Sequence, residues 1–383
     1  MIYWVLHKVL TEANLDSPVE GFPGYFADYF KDNFCFVDVR DMLLLSKIKR
    51  KFFDLDNYCG ITTVSNKYYK INSLSSFKAL LKNTNEQDIF VIQHLTEMTM
   101  PIVKYLNNKK IKVALLDYWQ LSKLFDSSGE RSLYSKLENF FKYSWKMKFY
   151  SLLRKLLSQK NYKKNYIDYL FVADDIVNSR TVYNISINNL IKCNSVPLDE
   201  FISFKKTRKI DFKNYLVFVD QGISKQADTS LDMSESQKKE YDQIIIKSLK
   251  KISEETGKQI IIAEHPRVKY EDDYWGDFKH FSRITNDLIS QSDGVIGHYS
   301  TSLYFAKLSR KNIIFLTYSD FAYNEHVLKM FNFLGGTLFD IDNCTRQYKG
   351  DCNYQIRENA ERSKDNKNII KNFLESYCKE RSK

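Results

Sequence analysis

This sequence has little of what would assign a class at a glance. No apolar run approaches the ~18–20 residues needed to span a bilayer. The opening stretch, MIYWVLHKVLTEANLD, lacks the charged, apolar and cleavage regions of a secretory signal in order. We read Ile2–Leu6 within it as a first strand. The cysteines (Cys35, Cys59, Cys193, Cys344, Cys352, Cys378) are scattered and form no CxxC pair. That argues against a disulfide framework or zinc site and for reduced thiols in a cytoplasmic protein. No GxGxxG follows an expected strand, which weakens a dinucleotide-binding reading, and GxxxxGK[ST] is missing, which removes a P-loop. Neither an internal repeat of about 20–50 residues nor a low-complexity tract is present. No His/Cys/Asp cluster has metal-ligand spacing, so neither metal nor cofactor is expected.

What is there suits an ordinary globular protein. The 383 residues allow two domains, and 43% hydrophobic content supplies their cores. A formal charge of +11 fits nucleotide-sugar, anionic-lipid or nucleic-acid partners without choosing among them. No RNA- or DNA-binding module is recognisable, which disfavours nucleic acid.

Apolar runs at Ile2–Leu6, Phe34–Val39, Ile89–Ile92, Ile111–Leu116 and Tyr169–Val172 alternate with helical or polar stretches. That alternation predicts a doubly wound α/β domain. After Val172 we expect a helix, then IKCNSVPLDEF, then a charged linker, FKKTRKIDFKN. A fresh strand, Tyr215–Val219, starts a second set of units running to about residue 345. The spacing thus predicts an N-terminal acceptor-binding domain over 1–205 and a donor-binding domain over 206–353. A C-terminal helix within 354–383, with Ile369, Ile370, Phe373 and Leu374 on one side, could pack back on the first domain.

The most informative stretch runs from Gln259 to Leu316. The β-branched run Ile260–Ile262 ends at His265-Pro266, and Gly294–Gly297 ends at His298-Tyr299-Ser300-Thr301-Ser302, where a helical pattern begins at once. In parallel sheets ligands bind beyond the carboxyl ends of the strands. A helix opening with three hydroxyl residues invites an anion such as a donor phosphate. The alternative for the hydroxyls is ordinary N-capping, and for His265 a structural role at a turn set by Pro266.

Two doubly wound domains are the GT-B architecture of many glycosyltransferases. Asp220-Gln221-Gly222, His265-Pro266 and Ser300-Thr301-Ser302, in that order, resemble the signature of bacterial sialyltransferases and related capsule and lipopolysaccharide transferases. That signature has an acid–acid–glycine element, an HP element and a paired Ser/Thr element; here Gln221 replaces the second acid. The resemblance covers roughly residues 215–320. It implies a CMP-activated acidic sugar as donor (sialic acid, another nonulosonic acid or ketodeoxyoctulosonic acid) and an oligosaccharide or lipid-linked glycan as acceptor. His265 would contact the donor phosphate or act as general acid, and Asp220 would be the first choice for the base that deprotonates the acceptor. Gln221, Gly222, Pro266, Arg267, His298, Tyr299, Ser300, Thr301 and Ser302 would complete the donor site. Rival bases are Glu12, Asp16, Glu20, Asp174 and Asp175. Two other functions stay open: transfer of a polyol phosphate from a CDP-linked donor, and non-catalytic glycan binding on the same fold.

Two further patterns compete with bland readings. The DxD sequences Asp54-Leu55-Asp56 and Asp340-Ile341-Asp342 sit in no obvious donor context and read as surface or turn residues. Residues 132–166 form a helical pattern with about eight more basic than acidic groups, interleaved with Phe140, Phe141, Trp145, Phe149 and Leu152. It reads equally as an interfacial helix on the inner face of the plasma membrane or as a helix packed on the first domain.

Overall fold

A computed structural model of the chain describes residues 1–6, 34–39, 42, 68–92, 95, 99–117, 166–173, 186–204, 208–225, 235–266, 268–318, 324–343, 345–350 and 365–380. These residues form two seven-stranded sheets, in the orders β3-β2-β1-β4-β5-β6-β7 and β10-β9-β8-β11-β12-β13-β14. Each follows the doubly wound 3-2-1-4-5-6 order, extended by one edge strand. Two Rossmann-like α/β units in one chain are the composition of the GT-B class. The candidate base positions Glu12, Asp16, Glu20, Asp174 and Asp175, the pair Asp54 and Asp56, Arg267 and the basic stretch 132–165 lie outside the described residues.

The first unit is built on β1 (Ile2–Leu6), β2 (Phe34–Asp38), β3 (Tyr68–Lys70), β4 (Ile89–Ile92), β5 (Lys112–Asp117), β6 (Tyr166–Ala173) and β7 (Ser186–Cys193), all parallel. Helices α1 (Leu74–Lys82) and α2 (Met100–Asn108) cross over within it. Strand β4, IFVI, is buried at every position, as a parallel strand covered on both faces must be. Phe90 anchors this core, stacked 4.5 Å from Tyr3 and edge-on to Phe77 at 6.2 Å. Cys35 and Cys193 are buried as thiols. The last helix, Asn366–Glu380, belongs to this unit. Its Ile370, Leu374 and Tyr377 are buried, and Phe373 meets Tyr169 and Phe171 edge-on at 5.0 and 5.2 Å. At its start Asn366 exchanges two hydrogen bonds with the Asn194 backbone, at 2.7 and 3.1 Å.

The second unit is built on β8 (Tyr215–Val219), β9 (Gln259–Glu264), β10 (Lys279–Ser282), β11 (Gly294–Gly297), β12 (Asn312–Thr317), β13 (Gly336–Asp340) and an antiparallel β14 (Thr345–Lys349). Its helices are α3 (Val196–Ser203), α4 (Glu235–Thr256), α5 (Thr285–Gln291), α6 (Ser302–Leu308) and α7 (Asn324–Leu334); the C-terminal helix of the first unit is α8. Strand β8, YLVFV, is buried throughout and pairs with β9 on one side and β11 on the other.

Two expectations need correction. The helix expected after Val172 is not what residues 186–193 form: SINNLIKC is the edge strand β7, exposed along most of its length. The charged stretch expected as a linker, with a domain boundary at 205/206, also differs. The compact units divide between Ser195 and Val196. Helix α3 packs on α6, with Phe201 and Phe204 edge-on to Phe305 at 5.8 and 5.3 Å. Beyond it the Arg208 and Ile210 amides donate to Asp287 and Gln291 of α5, both at 3.2 Å. This charged segment is therefore strapped to the second unit.

Candidate functional site

The three motif segments follow three adjacent strands. Asp220-Gln221-Gly222 leaves β8, His265-Pro266 leaves β9 and His298 to Ser302 leaves β11. In the order β10-β9-β8-β11 the chain turns one way from β8 to reach β9 and the other way to reach β11. This is the topological switch point, where strand-end loops part and leave a crevice.

Side chains of the first segment tie the other two to it. The Asp220 amide donates to the Ala263 carbonyl at 3.0 Å, carrying the β8–β9 ladder one step past the strand. Its Oδ1 accepts from the Gly222 amide at 2.9 Å, an Asx-type turn. Gly222 has φ +58°, a left-handed conformation that glycine adopts without strain. The other carboxylate oxygen, Oδ2, accepts from the Tyr270 hydroxyl and from the His265 amide at 3.4 Å. Asp220 is 5% exposed. Burial pushes its carboxyl up to about 6, against the pull of the hydrogen bonds from Tyr270, Gly222, His265 and Gln221. On the opposite side Gln221 Oε1 accepts from the Tyr299 amide at 3.1 Å.

His265 is half-buried and Pro266 exposed. The turn they begin is closed by the Val268 amide, which donates to the His265 carbonyl at 3.0 Å. The segment that follows was passed over in the sequence as polar and aromatic filler, yet it anchors the HP turn. Tyr270, Tyr274 and Trp275 pack on one another with ring centres 4.8–5.5 Å apart, and Trp275 lies edge-on to Phe218 of β8. The Tyr274 hydroxyl donates to Asp242 at 2.5 Å, and the Ser224 hydroxyl donates to the same oxygen at 2.6 Å. The signal available in the sequence was the spacing Tyr270-x-x-x-Tyr274-Trp275 directly after the HP element.

His298 departs from its expected role. It is fully buried, with Nδ1 at 2.9 Å from the Leu316 carbonyl and Nε2 at 3.1 Å from the Tyr241 hydroxyl. A carbonyl only accepts, so Nδ1 carries the proton and Nε2 accepts from Tyr241. Burial lowers its pKa to about 4, so the ring is neutral. With both nitrogens engaged inside the unit, His298 supports the strand end and does not meet a donor.

The hydroxyl cluster divides its work. Ser300 Oγ accepts from the Ser302 amide at 3.3 Å, and the Ser300 carbonyl accepts from Leu303 at 3.0 Å. Thr301 is exposed and makes no side-chain capping bond. The helix they open, α6, spans seven residues, with Leu303 to Leu308 buried. Tyr299 lies edge-on to His326 of α7 at 5.3 Å. Thr301, His265 and the peptide edges of these turns are donors that a phosphate or sugar oxygen could accept from. Asp340, by contrast, accepts from the Asp342 and Asn343 amides and from the Asn343 side chain, so this DxD pair closes a local turn. Among the described residues no group of three or more His, Cys, Asp or Glu side chains could hold a metal ion.

No protein-family model matches the chain, and no curated protein matches it in sequence. Several solved structures resemble it in shape. Spinosyn forosaminyltransferase SpnP has a TM-score of 0.46 and 10% identity, with 98% of this chain and 99% of that chain covered. The UDP-GlcNAc 2-epimerase of Methanocaldococcus jannaschii has a TM-score of 0.46 and 13% identity, covering 97% and 99%. The glycosyltransferase SnogD from Streptomyces nogalater has a TM-score of 0.43 and 7% identity, covering 98% and 98%. At these scores none of them speaks to the activity of this chain.

Proposed function

We propose that the chain is a glycosyltransferase that takes its sugar from a nucleotide-activated donor, held beyond β9, β8 and β11. One observation carries this reading. The three motif segments, separate in sequence, meet at the switch point and are hydrogen-bonded to one another through Asp220 and Gln221. Such a crevice is where doubly wound units take nucleotides. In this reading His265 and Thr301 face the donor phosphate, and His265 neutralises the departing nucleotide by donating a proton. The motif resemblance favours CMP as the nucleotide, an acidic sugar as the group transferred and a bacterial surface glycan as the acceptor.

A thermal-shift panel of CMP, CDP, UDP and GDP is the first test, because a ligand that binds the native state raises its apparent stability. CMP should stabilise most. Stronger stabilisation by UDP or GDP would overturn the donor assignment, and no response to any of the four would overturn the site. His265→Ala should lower transfer from CMP-sialic acid by at least about a hundredfold, the lower end for loss of a general acid. A folded variant with near wild-type turnover would make His265 structural.

A further inference from the structure

The geometry points to Asp220 as the positioning residue of this site, with Tyr270 as its lock. A general base for an acceptor hydroxyl needs a carboxylate oxygen open to the substrate. Asp220 is 5% exposed, and both oxygens already accept: Oδ1 from Gly222, Oδ2 from Tyr270 and His265. Its partners are of a different kind. Two are main-chain amides in the turns after β8 and β9, and the third is a hydroxyl carried by the segment that leaves the HP element. One buried side chain therefore fixes three points of two loops. Tyr270 is held in turn by the rings of Tyr274 and Trp275, and Tyr274 by Asp242 of α4. The chain of contacts Asp242–Tyr274–Tyr270–Asp220 runs from a helix to the switch point and sets the backbone height at which His265 leaves β9.

Position 221 completes the arrangement. Where the resembling pattern has a second acid, this chain has an amide, and its Oε1 accepts from Tyr299 on the far side of β8. Asp220 thus governs the β9 turn and Gln221 the β11 turn. Positioning does not require a negative charge at either residue. A base does.

The test uses the full chain, Asp220→Asn and Tyr270→Phe, singly and together, with two readouts. Amide hydrogen exchange reports the loops whatever the ligand. An asparagine at 220 can accept at one oxygen but not at both, so either Gly222 or His265 loses its acceptor. Tyr270→Phe removes one hydroxyl and keeps the ring packing. Both variants should speed exchange across residues 265–278 at least tenfold and leave the β12 amides as in the wild type. The double variant should exchange no faster than the faster single, because both changes break one interaction. CMP affinity by calorimetry is the second readout, and it rests on the site reading above. All three variants should weaken it several-fold, with turnover at saturating CMP-sialic acid lowered by less than about tenfold.

Unchanged exchange across 265–278 in both single variants would overturn the inference. So would a fall in Asp220→Asn turnover of a hundredfold or more with CMP affinity and Tyr270→Phe turnover intact, which is the signature of a lost base. If the wild type binds no nucleotide, the site reading fails, and exchange alone decides whether Asp220 holds the loops.

Discussion

The two units share one strand order and use it differently. In the first, the strand next to the central one is β4, IFVI, filled with large side chains at each position. In the second it is β11, GVIG, with a glycine at each end. A Cβ on Gly297 would lie 3.1 Å from the Leu303 side chain, and one on Gly294 would lie 3.0 Å from the Asn312 carbonyl. The second sheet has given up side-chain volume beside the switch point, so that α6 closes tightly on the strand it follows. Their half-buried or buried carboxylates differ in the same way. Asp168 of the first unit lies within β6 and accepts from the Val113 amide of β5 at 2.9 Å, inside the sheet. Asp220 accepts beyond the strand ends, from loops. One topology is filled as a core, and the other is shaped around its loops.

The largest effect should come from the two core phenylalanines. Phe90 and Phe218 are both fully buried. Phe90 meets only its own core, Tyr3 and Phe77, whereas Phe218 meets Trp275 and His298 under the motif turns. Truncation of either to alanine should cost about 3–5 kcal/mol of its unit's stability. CMP stabilisation should survive Phe90→Ala and vanish in Phe218→Ala, at a temperature where circular dichroism shows both folded. Equal loss of binding in both would erase the distinction between the units.

Asp220 and His298 allow a sharper test, because their titrations oppose each other. For Asp220 the folded value, about 6, lies above the unfolded 3.8. The folded chain holds that proton more tightly, so this contribution to stability is full below about pH 4 and is lost as pH rises through 6. For His298 the folded value, about 4, lies below the unfolded 6.5. There the unfolded chain binds the proton, so stability is full above 6.5 and falls as pH drops toward 4. Each shift corresponds to about 3 kcal/mol at 1.36 kcal/mol per unit, so between pH 4 and 6.5 they nearly cancel. Asp220→Asn removes one arm. Its stability relative to wild type, from urea melts, should rise by about 3 kcal/mol across that window. Asp168→Asn is the control from the first unit. Burial raises that carboxyl too, but it is half-buried, so the drift should have the same sign and be smaller. A flat difference for Asp220→Asn would mean that its carboxyl titrates normally.

The sequence made the inner strands legible and the edges illegible, for one physical reason. Strands β1, β2, β4, β5, β6, β8, β9, β11 and β12 carry apolar runs because helices and neighbouring strands cover them. Strands β7 and β14, SINNLIKC and TRQYK, are exposed along most of their length, and β10, KHFS, has no fully buried residue. With a face or an edge in water they need no apolar run, and so gave no signal. The site divides similarly. The motif positions could be read because strand ends are marked by abrupt loss of β-branched residues. The roles of Asp220 and His298 could not, because whether a carboxylate or imidazole faces a ligand or the interior depends on partners such as Tyr270, Tyr241 and Leu316, far away in the chain.

The smallest expected effect tests the second arm of the site. Gln221 contributes one hydrogen bond, from the Tyr299 amide at 3.1 Å, across the gap between the β8 and β11 turns. Gln221→Ala leaves that amide without its side-chain acceptor, at a cost of about 1 kcal/mol. Tyr299 is half-buried, so water can replace part of the loss. Gln221→Glu keeps an oxygen in the same place and restores the acid that the resembling pattern carries. A carboxylate accepts from an amide more strongly than a carboxamide does, so the Tyr299 contact should persist. Amide exchange at Tyr299 should therefore quicken several-fold in Gln221→Ala and stay at or below the wild-type rate in Gln221→Glu. CMP affinity should follow the same order, unless the added negative charge repels the phosphate. In that case Gln221→Glu would keep slow exchange and lose affinity, placing the side chain within electrostatic reach of the donor. Equal exchange in all three proteins would show that the turn after β11 holds itself, leaving Asp220 as the sole tie among the motif loops.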